Sequence, residues 1–236
     1  MVRPFVRFRR REPSVGWNPV EPLFLGFALG LLLLSIPMPW WGIENHVPQP
    51  RPATFIEQTV HFSPWMSTYW YSIVSVSARG AGFWIEGTPL VWWEFPTAFP
   101  QYAAFTPASG IVTALWSATF LLAVVALWTR AQPRRRMRSV PTLLEALAGG
   151  CLFAAILYSV WGFPSLGQFP SFYGVSADGN VFWGPGAGWY LAIAAFVLVA
   201  GSAVVGFTVD RGLRGPCWSC HRPMAGPTCG FCGSIQ

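Results

Sequence analysis

Four cysteines near the end of the chain have the type and spacing of a metal centre: Cys217-Trp-Ser-Cys220 and, eight residues later, Cys229-Gly-Phe-Cys232. The turn in a C-x-x-C knuckle lets both sulfurs face one ion, and two knuckles supply four thiolates for a tetrahedral site. Zinc is the expected occupant, as a structural cofactor whose coordination energy can fold a segment too short to bury a core. The same residues allow other chemistry. Cys217-Trp-Ser-Cys220-His221 also spells C-x-x-C-H, the pattern of covalent haem attachment, which would leave the second knuckle idle. Iron or an iron–sulfur centre takes similar knuckles, although the eight-residue gap is short for a rubredoxin-like fold. Redox thiols or a disulfide are disfavoured in a reducing compartment. His221 could replace one thiolate or stand behind it.

The compartment of that cluster is set by the rest of the chain. Of 236 residues, 53% are hydrophobic and 10% charged, which is not the composition of a soluble domain. Four apolar stretches, about 22–40, 108–129, 141–162 and 187–209, each approach the ~20 helical residues that a bilayer core requires. Every basic side chain is arginine. Thirteen arginines lie in the N-terminal tail, the connection after the second stretch and the C-terminal tail, against Arg51 and Arg79 in the two other connections. By the positive-inside rule both termini face the cytoplasm. The expected organisation is a basic cytoplasmic tail (1–21), a four-helix membrane domain (22–209) with outer loops 42–106 and 163–186, and a cytoplasmic zinc ribbon (210–236). The run from Leu23 to Trp40 exceeds a signal-peptide core and no small-residue cleavage site follows it, so it is expected to remain as a span.

Arginine clusters beside spans fix topology and touch anionic headgroups, so the pI of about 9.4 implies no nucleic-acid partner. Trp40, Trp41, Trp128, Tyr158, Trp161, Trp189 and Tyr190 fall at span edges, where aromatic side chains anchor at the headgroups. Glu145, in the first turn of the third stretch, is expected to meet the positive helix end and nearby arginines; a proton or ion relay is the rival reading. Small residues recur at helical spacing (Gly26 and Gly30; Ala146, Gly150 and Ala154; Ser202 and Gly206), as in closely packed membrane helices. Bundle packing is the default reading, and a second copy of the chain docking through Gly26 and Gly30 is the other.

In the first outer loop, aromatic and β-branched residues alternate between turn formers at Pro64, Arg79–Gly82 and Gly87-Thr88-Pro89, which predicts a small antiparallel sheet over the helix ends. The second outer loop is expected to pack onto it. His46, His61 and Met66 have no ligand-pair spacing.

The tail from Gly215 to Gln236, with its two knuckles plus Gly230 and Gly233, resembles the zinc-ribbon modules appended to many prokaryotic membrane proteins. That resemblance implies zinc held by Cys217, Cys220, Cys229 and Cys232. The layout of four spans, a tryptophan-rich first outer loop and a short second one is similar in topology to the claudin and peripheral-myelin-protein superfamily. The paired cysteines of the claudin loop have no counterpart here, and no junctional role is carried over.

The fold class expected is therefore an all-α membrane protein: a four-transmembrane-helix bundle with a small extracellular sheet and a C-terminal zinc ribbon, in the plasma membrane. The first functional expectation is a non-catalytic scaffold, interaction protein or accessory subunit, with the lipid bilayer and a protein as partners. The alternatives are a redox protein or enzyme using the cysteines or outer carboxylates (Glu44, Glu57, Glu86 and Glu94), and a channel or transporter lined by Ser117, Thr119 and Ser159. No nucleophilic triad or glycine-rich phosphate loop stands in the sequence.

Overall fold

A computed structural model describes residues 20–48, 54–77, 80–82, 85–131 and 139–212. The four zinc-ligand candidates, and with them the ribbon, lie outside the described residues, as do the N-terminal arginines.

The helical part comprises α1 (Val20–Leu34), the short α2 (Phe95–Ala98), a 3-10 segment (Pro100–Phe105), α3 (Thr106–Ala131), α4 (Ser139–Gly167) and α5 (Ala187–Gly212). Among these, α3, α4 and α5 are long and apolar enough to cross a membrane. At 1.5 Å per residue, 26 to 29 residues extend about 39–43 Å, beyond a bilayer core of ~30 Å. Long helices pack as α3 on α4, α4 on α5, and α5 on α1, with α1 also touching α3.

The first span departs from expectation. Instead of continuing to residue 40, α1 stops at Leu34 after 15 residues, about 22 Å. Pro37 brings no N–H and pushes Ile36 out of the helical region, so the ladder ends one turn before it. The Ser35 N–H donates to the Leu31 and Leu32 carbonyls, and its hydroxyl to Leu32 (2.7 Å). Residues 39 and 40 are then pinned: the Trp40 N–H donates to Phe62, and the Pro39 and Trp40 carbonyls accept from Gly188 and Gly186.

Strands β1 (Trp41–Pro48), β2 (Thr54–Phe62), β3 (Met66–Ser77), β4 (Gly80–Gly82), β5 (Ile85–Val91), β6 (Gly174–Val175) and β7 (Val181–Pro185) form one antiparallel sheet. Its order is β4-β3-β2-β1-β7-β6, with β5 also paired to β3. The sheet is larger than the first outer loop alone: the second loop joins it edge-on, through β7 beside β1. The turn at Pro64 closes on Ser63, whose N–H donates to the Met66 carbonyl and whose hydroxyl accepts the Met66 N–H.

Strand alternation gives the sheet two unlike faces. Inward, Trp41 lies opposite Phe62 and Ile43 opposite Val60, all buried. The Trp41 ring stacks on Phe163 of α4 at 5.6 Å and meets Phe105 and Phe169, while Phe62 meets Phe95 and Phe105. These rings seal the sheet onto the helix ends. Trp40 and Trp41, expected as interfacial anchors, are fully buried, because the chain turns into the sheet at Pro37–Pro39 and draws them beneath it. Trp128, Trp161 and Tyr190 do face outward, at 63%, 66% and 57% exposure.

Helix α4 runs past its expected end, through Pro164, and closes with a left-handed residue. The Phe169 N–H reaches the Pro164 carbonyl (2.8 Å) and the Gln168 N–H the Ser165 carbonyl (3.4 Å), the two bonds of a Schellman cap. The capping residue is Gln168, at φ 58°, where glycine is the usual occupant.

Candidate functional site

The described polar chemistry gathers at two places, one at each end of the helices. At the end remote from the sheet, four helices converge on one guanidinium. Arg130, in the last turn of α3, donates from Nε to Glu145 Oε1 at 2.6 Å and from Nη2 to Oε2 at 3.0 Å. Its Nη1 pairs with Glu21 at the start of α1. Ser202 of α5 donates to Glu145 Oε2 at 2.9 Å. Both carboxylates are buried, Glu145 completely and Glu21 to 4% exposure. The planar guanidinium fork suits this arrangement, since it can serve one carboxylate through two bonds and still offer a donor to another.

Small residues make room for it. A Cβ on Gly206 would lie 2.7 Å from Thr142 Oγ1 and 2.9 Å from Arg130 Nη2, so glycine there lets α5 approach α4 and the arginine together. Glu145 thus meets an arginine, as its sequence position implied, and the partner is the arginine ending α3. The joining of Glu21, Arg130 and Ser202 to it was not foreseen. Its signal was present: three ionisable groups at the same ends of apolar stretches, in a medium where such groups seek one another.

Of the remaining polar groups between the helices, Thr142 Oγ1 is buried without a hydrogen-bond partner, and the other hydroxyls are satisfied locally. Ser117 and Thr119 donate to carbonyls one turn earlier, Thr113 (2.6 Å) and Leu115 (2.9 Å), and Ser159 to Ile156 (2.7 Å). Ser159 also accepts the Trp189 indole N–H, and Ser35 that of Trp116. These hydroxyls tie helices and rings together, and they do not line either cavity beside the sheet.

At the other end lies the sheet's outward face. Gly42, Glu44 and His46 of β1 pair with His61, Thr59 and Glu57 of β2, and Glu44 lies opposite Phe182 of β7. The His61 ring covers Gly42, where an added Cβ would fall 2.6 Å from Cδ2. A cleft of about 330 Å³ runs beside it, bordered by Glu44, Tyr173 and Phe182. Burial lowers the His61 pKa, partly offset by the Glu44 carboxylate. Across the β6–β7 turn, Asp178 accepts from Ser176 and Asn180, which holds its carboxyl below the ordinary range.

Of the outer residues raised by the sequence, Glu44 and His61 share the cleft and Glu57 lies opposite His46, while Met66, Glu86 and Glu94 lie on other elements. His46 meets Phe182 edge-on at 5.5 Å, His61 lies over Gly42, and Met66 opens β3 opposite Val91. Glu86 sits on β5 opposite Tyr71, and Glu94 precedes α2 without bonding its N-terminus. Among the described residues, no three His, Cys, Asp or Glu side chains group to hold a metal ion. The chain matches no protein-family model and no curated protein.

Proposed function

We propose that this chain is a non-catalytic integral membrane protein that crosses the plasma membrane four times, keeps both termini in the cytoplasm and presents its sheet outside. It serves there as a scaffold, interaction protein or accessory subunit, and a cytoplasmic zinc ribbon makes its second protein contact. The observation that carries this reading is the sheet's two-facedness. One face is sealed to the helices by buried rings, while the other offers polar side chains together with Trp70 at 41% exposure. Such a surface suits contact with a partner and needs no reaction centre.

Two features support the fourth span. Helix α1 turns large apolar side chains outward, with Leu23 56%, Phe27 68% and Leu34 57% exposed, as a lipid-facing helix does. It also joins the same ionic clasp as the three longer helices, at the end where arginines concentrate.

A membrane-impermeant maleimide tests the topology on sealed cells. Tyr173→Cys, at an exposed position just before β6, should label from outside, and Arg135→Cys only after permeabilisation, with the five native cysteines as the background control. Reversed labelling would overturn the orientation. For the contact role, a membrane protein co-purifying in mild detergent should be lost from Trp70→Ala; retention at wild-type yield would remove the sheet as its docking face.

A further inference from the structure

The inward face of the sheet changes character along β1 and β2. After the buried pairs Trp41–Phe62 and Ile43–Val60, the next inward pair is Asn45 opposite Gln58, both half-buried. Two more carboxamides arrive from the helix ends, Gln101 on the 3-10 segment and Gln168 at the cap of α4. All four border a cavity of about 350 Å³ between the sheet and the ends of α3 and α4. That volume lies within the ~300–1,000 Å³ of small-molecule sites. Rings of Tyr102, Phe105 and Phe169 supply its apolar walls, and among the described residues no ionisable acid or base other than the Tyr102 phenol lines it.

Two observations distinguish this cavity from a packing defect. Among the described residues, none of the four amide side chains is engaged by another protein group. And Gln168 occupies a left-handed position where glycine is the easier choice, so a side chain stands at the cavity rim against the backbone preference.

We propose that the cavity binds an uncharged sugar ring, with Asn45, Gln58, Gln101 and Gln168 hydrogen-bonding its hydroxyls and Tyr102, Phe105 and Phe169 packing on its C–H faces. Each carboxamide offers a carbonyl acceptor and two N–H donors, which matches hydroxyls that both donate and accept. Rings beside such groups suit a ligand with apolar faces and a polar rim. A charged ligand would meet no counter-charge among the described residues, and a wholly apolar one would cover the half-buried Asn45 and Gln58 amides without bonding them. The sugar is either a free saccharide or a glycolipid headgroup. The site stands on the sheet–helix contact and does not depend on membrane orientation.

The test uses the full chain in phosphatidylcholine nanodiscs prepared without glycoside detergents. In one arm maltose and glucose are titrated calorimetrically; in the other, discs containing monoglucosyl diacylglycerol are read by native mass spectrometry for retained glycolipid. Saturable binding in the first arm identifies a free saccharide, and retention in the second alone a lipid headgroup; both support the site. Asn45→Leu and Gln58→Leu should each weaken binding about ten-fold. Gln168→Gly relieves the left-handed backbone, so its unfolding midpoint should hold or rise while affinity falls, which separates binding from folding. Saturation in neither arm, binding unchanged in all three variants, or equal binding of the neutral peptide acetyl-Ala-Ala-amide would overturn the proposal.

Discussion

Arg130 shows what one residue must do when its surroundings cannot hydrate it. Its guanidinium is the charged partner of Glu145, which has no exposure to solvent. Arg130→Met should therefore cost about 3–5 kcal/mol, since a buried carboxylate would lose its partner. Arg130→Met combined with Glu145→Leu should recover much of that loss, because the unpaired charge goes too. Thermal unfolding in detergent micelles measures both, and additive losses would show that the pair is not coupled. His61 gives a different dependence. Burial favours its neutral form, so the folded-state pKa lies below the ordinary 6.5. Stability should be constant above that value and fall as pH drops through the folded-state pKa, because the unfolded chain takes up the proton first. Unfolding midpoints between pH 7.5 and pH 5 check this, and His61→Gln should flatten the profile; an equally steep variant would place the dependence elsewhere.

Among the elements, small residues do two opposite jobs that sequence spacing alone does not separate. Gly206 faces inward, where a side chain would strike Thr142 and Arg130. Gly26, Gly30 and Gly150 have open space where a Cβ would stand, and all three are exposed. The repeats of Gly26 with Gly30 and of Ala146, Gly150 and Ala154 therefore do not pack the bundle; the pair Ser202 and Gly206 does. Gly206→Leu should destabilise by about 1–3 kcal/mol through overpacking and splay α5 from the clasp, whereas Gly26→Leu should shift the unfolding midpoint little. Comparable losses in both would mean that α1 turns its glycine face to a neighbour. The same limit explains how much of the architecture was legible. Apolar runs of the right length, proline at helix starts and alternation around Pro64 are local signals, and they located α3, α4, α5 and the first hairpin. The burial of Trp40 and Trp41 and the edge pairing of β7 with β1 depend on contacts over a hundred residues apart. The Asn45–Gln58 row became visible only once strand register set which face each amide takes.

Taken as a whole, the molecule is tied at both ends of its helices by different physics: buried rings under the sheet, and charge around Arg130 at the opposite end. Among the described residues, both ties are built from side chains before Gly212. If two knuckles fold around zinc, the metal's coordination energy is the tail's own folding energy. The bundle should then be indifferent to it. Purified full-length chain should carry one zinc ion and no visible absorbance, and Cys229→Ser should abolish retention of that ion. The unfolding midpoint of the membrane domain, followed by tryptophan fluorescence from rings such as Trp41 and Trp116, should stay within about 2 °C of wild type, since a change below ~0.5 kcal/mol moves it no further. A coloured protein would substitute iron or haem for zinc. A coincident collapse of the fluorescence transition in the Cys229→Ser chain would show that the tail braces the helices, and would move the metal centre from an appended contact module into the core of the fold.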